Sequence, residues 1–72
     1  MKYLVMEIQT NTDGTVGNVV FAYSDRAQAE QKYHTILAAA AVSALPSHAA
    51  VMLTNDGLSV AHACYHHVQE QG

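Results

Sequence analysis

Hydrophobic and polar positions alternate near both ends of the chain, and the middle follows helical spacing. Residues 2–9 alternate, and residues 19–23 are rich in strand-forming side chains, which predicts a hairpin. Residues 26–44 carry apolar side chains at helical spacing, and residues 48–54 and 58–67 return to strand-like patterns. The order ββαββ predicts an α+β fold, in which one alanine-rich helix packs on one face of a four-stranded antiparallel sheet.

Short signals delimit these elements. Asp25 is a good N-cap, and Gln28 stands where a capping-box partner belongs. Pro46 ends the helix, because proline disfavours helical geometry at the residue before it. The segments 11–14 and 55–57 predict hairpin turns, and Gly17-Asn18 either extends the first loop or marks a bulge.

The second half of the helix is apolar on all sides. No charge interrupts residues 36–45, and such a helix must be covered all round. One chain of 72 residues has too little protein to do this. We therefore expect an obligate homo-oligomer, a dimer or a tetramer.

Two surfaces are candidates for the subunit contact. The helix is expected to pack on the sheet through a core stripe: Ala29, Tyr33, Ile36, Leu37, Ala40 and Ala44. Its opposite side offers Ala38, Ala39, Ala41 and Val42, and small residues allow close helix–helix approach. The second sheet face is a further candidate, with a set that depends on register: Tyr3, Val5, Met52, Ala61, Ala63 and Tyr65.

Composition excludes several classes of function. We expect one domain over residues 1–72, and its net charge of -3 with three Lys and Arg residues disfavours a nucleic-acid partner. No apolar run is long enough to cross a membrane, and Glu7 comes too early for a signal peptide. A single cysteine, Cys64, excludes an intrachain disulfide and fits a reducing cytoplasm.

The histidines and the cysteine raise two catalytic alternatives. His62, Cys64 and His66 alternate along the last strand, which suits either three zinc ligands on one face or inward packing of the first two. A Cys64–histidine nucleophile would need an orienting carboxylate, and the acidic residues are scattered. We expect a buried, inert cysteine, no metal, no cofactor and no enzymatic activity.

The start of the helix is the best candidate for anion binding. Free backbone N–H groups and the helix dipole attract anions there, beside Arg26. Tyr23 ends the preceding strand and can stack on a base. The full set of expected ligand-binding residues is Tyr23, Arg26, Lys32, His34, Tyr65, His66 and His67.

The whole chain resembles a group of short phage and prophage proteins from gut bacteria. The resemblance spans nearly all of residues 1–67, through MKYLVMEIQTNTDGTVGNVVFAYSD, AEQKYHTILAAAAVSA and HAAVMLTNDG. It implies a phage accessory protein that acts in the cytoplasm of the infected host. Small oligomeric phage proteins of this general kind are nucleotide sponges, which bind signals of immune systems such as Thoeris or CBASS without cleaving them.

Two functional expectations follow. The first is sequestration of a small nucleotide immune signal, of the ADP-ribose type, in a pocket of the homo-oligomer. The alternative is a structural or protein-interaction accessory protein, such as a virion subunit or a protein inhibitor, with no small-molecule ligand.

Overall fold

A computed structural model describes residues 2–67 and has the predicted order of elements. The strands are β1 (Tyr3–Thr10), β2 (Val16–Tyr23), β3 (Ser47–Thr54) and β4 (Ser59–His66), and the helix is α1 (Arg26–Ala41). The strands form one antiparallel sheet in the order β2-β1-β3-β4. The α+β fold with one helix on a four-stranded sheet is therefore confirmed.

Helix α1 covers one face of the sheet, and the core lies between them. Val5 pairs with Phe21 on one side and with Met52 on the other, so these residues share the helix-covered face. The fully buried members of the core cluster come from β1, β3 and α1: Val5, Ala29, Tyr33, Ile36, Ala50 and Met52. Since half of these are small or medium side chains, the one-sided core is thin.

Within residues 2–67, no helix lies over the opposite face of the sheet. Because side chains alternate across a strand, the register assigns this open face to Leu4, Met6, Ile8, Thr10, Val16, Asn18, Val20, Ala22, Ser47, Ala49, Val51, Leu53, His62, Cys64 and His66. The residues that were expected on this second face lie on the helix-covered face instead, so that prediction was wrong: Tyr3, Val5, Met52, Ala61, Ala63 and Tyr65. The strand order was needed to decide between the two.

Helix α1 begins as expected and ends earlier. The Asp25 carboxylate accepts the N–H of Ala27 at 2.9 Å. At the other end the N–H groups of Val42 and Ser43 bond back three residues, to Ala39 and Ala40, which tightens and closes the last turn. The prediction of helix to Ala44 was wrong.

The predicted core stripe is right for most of its members. Ala29, Tyr33, Ile36 and Ala40 are buried, and Leu37 packs against the core. Ala44 is exposed beyond the end of the helix. The expected capping box is also absent, since no hydrogen bond among residues 2–67 joins the Gln28 side chain to Asp25.

Both predicted hairpin turns are present, and their glycines have backbone geometry that favours glycine. Gly14 has φ +88° and Gly57 has φ +91°. Gly17 and Asn18 belong to β2 itself, where they pair with Gln9 and Ile8 in a continuous register, so they neither extend the loop nor mark a bulge. Pairing within the hairpin therefore overrides the low strand propensity of this dipeptide.

Candidate functional site

An open cleft lies between the end of β2 and the first half of α1. It has a volume of about 440 Å³ and is lined by Tyr23, Gln28, Gln31, Lys32 and Thr35. The helical residues project toward one flank because they are three or four positions apart. Tyr23 reaches the same space because β2 ends there, just before the helix starts. We call this space the Tyr23–Lys32 cleft.

Lys32 supplies the positive charge of this cleft. Its ammonium lies 4.1 Å from the centroid of the Phe21 ring, a cation–π contact that holds the side chain beside β2. Within residues 2–67 it forms no ion pair with a carboxylate. Its charge is therefore available to an anion in the cleft.

The other cleft residues offer uncharged hydrogen-bonding groups. The side-chain amides of Gln28 and Gln31 make no hydrogen bond to any other part of residues 2–67. The Thr35 hydroxyl donates to the Gln31 carbonyl at 2.8 Å and retains its capacity to accept. Together they present two amides and a hydroxyl oxygen around one ammonium and one aromatic ring.

Arg26 does not line the cleft, and two carboxylates lie at the helix start where an anion was expected. The Arg26 Nε donates to Glu30 Oε1 at 2.8 Å, and this contact raises the pKa of Arg26 further. The carboxylate of Asp25 already takes the Ala27 N–H. Since one carboxylate caps the helix and another pairs with Arg26, the two cations do not converge on one ligand as the sequence suggested.

The remaining predicted residues are spread over the molecule. His34 is exposed and meets the ring of Tyr33 edge-on at 5.3 Å. Tyr65 and His67 stack at 6.3 Å beside the end of the helix, where His67 Nε2 donates to the Ala40 carbonyl at 2.7 Å. His66 lies on the open face.

These groups therefore do not share a pocket within one chain. Tyr23 and Tyr65 are on the two outer strands, at opposite ends of the sheet. Of the predicted set, Tyr23 and Lys32 line the same cleft. A contribution of Tyr65, His66 or His67 from a neighbouring subunit stays a prediction.

The cysteine is not buried as expected. Cys64 is exposed on the open face, with its Sγ 3.3 Å from Ser47 Oγ and 3.5 Å from His66 Nε2. His62 shares that face and is also exposed, so inward packing of the pair was the wrong alternative. Across residues 2–67 no three His, Cys, Asp or Glu side chains are grouped to hold a metal ion.

The sequence analysis missed a polar cluster beneath the helix. Glu7 Oε2 lies 2.6 Å from His48 Nε2 and 3.1 Å from Gln9 Nε2, so the carboxylate accepts from both side chains. The His48 residue is only 4% exposed, and its Nδ1 has no hydrogen-bond partner within the described chain. Burial alone would raise the pKa of Glu7, but the hydrogen bonds from His48 and Gln9 and the charges of His48 and Lys32 lower it overall.

This cluster has the residue types of an acid–base pair, and its two members differ in access: Glu7 lines a cavity of about 170 Å³, whereas His48 is buried. A general base must reach the proton of its substrate, and His48 lies below the surface. The signal was present in the sequence, since Glu7 alternates with Val5 and His48 alternates with Ala50. Pairing them required the contact between β1 and β3, which alternation does not provide.

No protein-family model, curated protein or solved structure matches this chain. Within residues 2–67 the helix is too short and too polar to cross a membrane.

Proposed function

We propose that this chain is a non-enzymatic binding protein that sequesters a small nucleotide of the ADP-ribose type in the Tyr23–Lys32 cleft. The observation that carries the proposal is the convergence of an aromatic ring, an unpaired ammonium and two amides on one cavity. Its volume of about 440 Å³ falls in the range of small-molecule sites. The resemblance to short phage proteins makes an immune signal of the infected host the expected ligand.

Each part of such a ligand has a matching group in the cleft. The Tyr23 ring offers a stacking surface for a base, and base–aromatic stacking contributes about 1–3 kcal/mol. The ammonium of Lys32 attracts a phosphate through a charge-assisted hydrogen bond. The amides of Gln28 and Gln31 can donate to and accept from ribose hydroxyls or base edges. One ammonium per cleft favours a ligand with few phosphate charges.

The geometry also supports binding without turnover. The cleft residues include no carboxylate, histidine or cysteine, and the Thr35 hydroxyl donates to the Gln31 carbonyl rather than to a base that could activate it. The Glu7–His48 pair lies beneath the helix rather than in the cleft. We therefore propose that a bound nucleotide leaves chemically unchanged.

The proposal is tested by calorimetric titration with ADP-ribose and cyclic ADP-ribose, with a cyclic dinucleotide and inorganic phosphate for comparison. We expect Lys32→Gln to weaken binding by about 10- to 100-fold, because it removes a charge-assisted hydrogen bond. Arg26→Gln is the matched control, since it removes the same charge from the same helix outside the cleft. Equal loss in both variants would show that only net charge matters and would overturn the site.

Turnover is tested by chromatography of the nucleotide after incubation with and without divalent metal. We expect stoichiometric uptake and recovery of the intact ligand on heating. Formation of product beyond one equivalent would overturn the non-enzymatic role.

The second candidate is a structural or interaction protein without a small ligand. The uncovered apolar sheet face favours it, since large exposed apolar patches mark contact surfaces. If no nucleotide raises the melting temperature of the protein, this candidate replaces the first.

A further inference from the structure

We infer that the open face is the contact surface of a homodimer, with a second copy of the chain packed sheet against sheet. The inference is independent of the proposed nucleotide site, because the Tyr23–Lys32 cleft lies on the helix side of the sheet.

The centre of the open face is apolar on both inner strands. The register pairs Leu4 with Leu53, Met6 with Val51, and Ile8 with Ala49. Burying large aliphatic side chains of this kind is the main favourable term in protein association.

The open face carries no lysine, arginine, aspartate or glutamate at any position that the register assigns to it. A two-fold axis brings a surface against itself, so a charged position there risks meeting its own sign. A surface without fixed charges avoids this conflict. The chain has a net charge of -3, yet this face contributes nothing to it. That property suits a second copy better than an oppositely charged partner.

The size of the face reaches the lower limit for a specific dimer. Strands of 8 residues at about 3.3 Å per residue, four strands wide at about 4.8 Å each, give a footprint of roughly 500 Å². That footprint is about a tenth of the 4686 Å² surface of the chain, the share that standard interfaces occupy. Two copies together bury about 1,000 Å², the lower bound for a specific interface.

The two competing surfaces are weaker. The outer side of the helix offers alanines and the 85% exposed Val42, so it removes little apolar area per residue. The outer edge of β2 exposes Val19, but edge pairing leaves Met6 and Val51 uncovered. Face-to-face packing is the arrangement that covers the inner strands.

The test is the mass of the protein in solution, measured by light scattering and sedimentation over a concentration series. We expect wild type at twice the chain mass of 7.7 kDa. Met6→Lys and Val51→Lys place a charge at the centre of the open face and are expected to give folded monomers, with folding checked by circular dichroism. Val19→Lys at the β2 edge and Ala39→Glu on the outer helix surface are the controls and should remain dimeric.

A milder pair of variants covers the case in which the lysine variants unfold. Val51→Thr keeps the branched shape and buries a hydroxyl in the contact, so the dimer dissociation constant should rise about tenfold. Val19→Thr makes the same change at the β2 edge and should leave it unchanged. The inference is overturned if wild type is monomeric throughout the series, or if Val19→Lys or Ala39→Glu dissociates the dimer while Met6→Lys does not.

Discussion

Replacing Glu7 by glutamine tests how much the polar cluster beneath the helix contributes to stability. Glutamine keeps the size of the side chain and removes its negative charge. The carboxylate accepts from His48 Nε2 at 2.6 Å, and the two side chains are 18% and 6% exposed, so solvent screens the contact only weakly. A hydrogen bond to a charged group contributes about 1.5–3 kcal/mol, and a neutral one about 1 kcal/mol.

The expected loss is therefore about 0.5–2 kcal/mol of unfolding free energy at neutral pH. For a domain of this size that lowers the melting temperature by about 2–16 °C. Glu30→Gln is the matched control, because its partner Arg26 is exposed and surface ion pairs contribute little.

The stabilisation by the Glu7 carboxylate must also depend on pH, and it must fall in acid. The pKa of Glu7 lies below its ordinary value of 4.5, so the folded protein binds the proton less readily than the unfolded chain. The stabilisation is thus fully present above pH 4.5 and disappears as the pH falls through the lowered pKa. Urea unfolding at neutral and acidic pH, followed by circular dichroism, measures the difference between wild type and variant. A difference that does not shrink in acid, or a variant as stable as wild type at neutral pH, would refute the reasoning.

Three further changes test local features of the fold by the same urea unfolding measurement. Asp25→Ala removes the helix N-cap and should cost about 1 kcal/mol, whereas Asp25→Ser should restore most of it. Gly57→Ala should cost about 1–2 kcal/mol, because the φ of +91° at this position is unfavourable for a residue with a Cβ. A Cβ there meets no atom within 4 Å, so the cost comes from the backbone conformation alone. An unchanged stability would contradict this explanation. Ile36→Val, which removes one buried methylene beneath the helix, should cost about 0.5–1.5 kcal/mol, and a neutral result would show that this part of the core is loosely packed.

The sequence was sufficient for the elements of this fold because each has a local period. Alternation in residues 2–9 and helical spacing from Arg26 onward are properties of neighbouring positions. Strand order has no such local signal, because β1 pairs with β3 although β2 and α1 lie between them in the sequence. Without that pairing, the sequence could not tell which side of each strand the helix covers.

In the candidate site, too, contacts between residues close in the sequence could be predicted, and contacts between distant strands could not. Tyr23 and Lys32 were predicted because the end of a strand and the first turns of the next helix are close in sequence. The ion pair of Arg26 with Glu30 could also be predicted, because a spacing of four positions places both side chains on one helix face. His48 was missed as a partner of Glu7, because their contact depends on the long-range register of β1 and β3.

The strand order β2-β1-β3-β4 also has a consequence for the folding pathway. Each hairpin closes over a short turn, an event that takes about 1–10 μs in isolation. The two hairpins join only when β1 meets β3 and the helix docks across both, which requires closing a loop that spans β2 and all of α1. We therefore expect docking of the two preformed hairpins to set the folding rate. Substitutions in the two hairpin turns should then slow folding and leave unfolding almost unchanged, because the turns are already formed when the halves dock. Substitutions along the β1–β3 contact should change both rates, as kinetics in urea will measure.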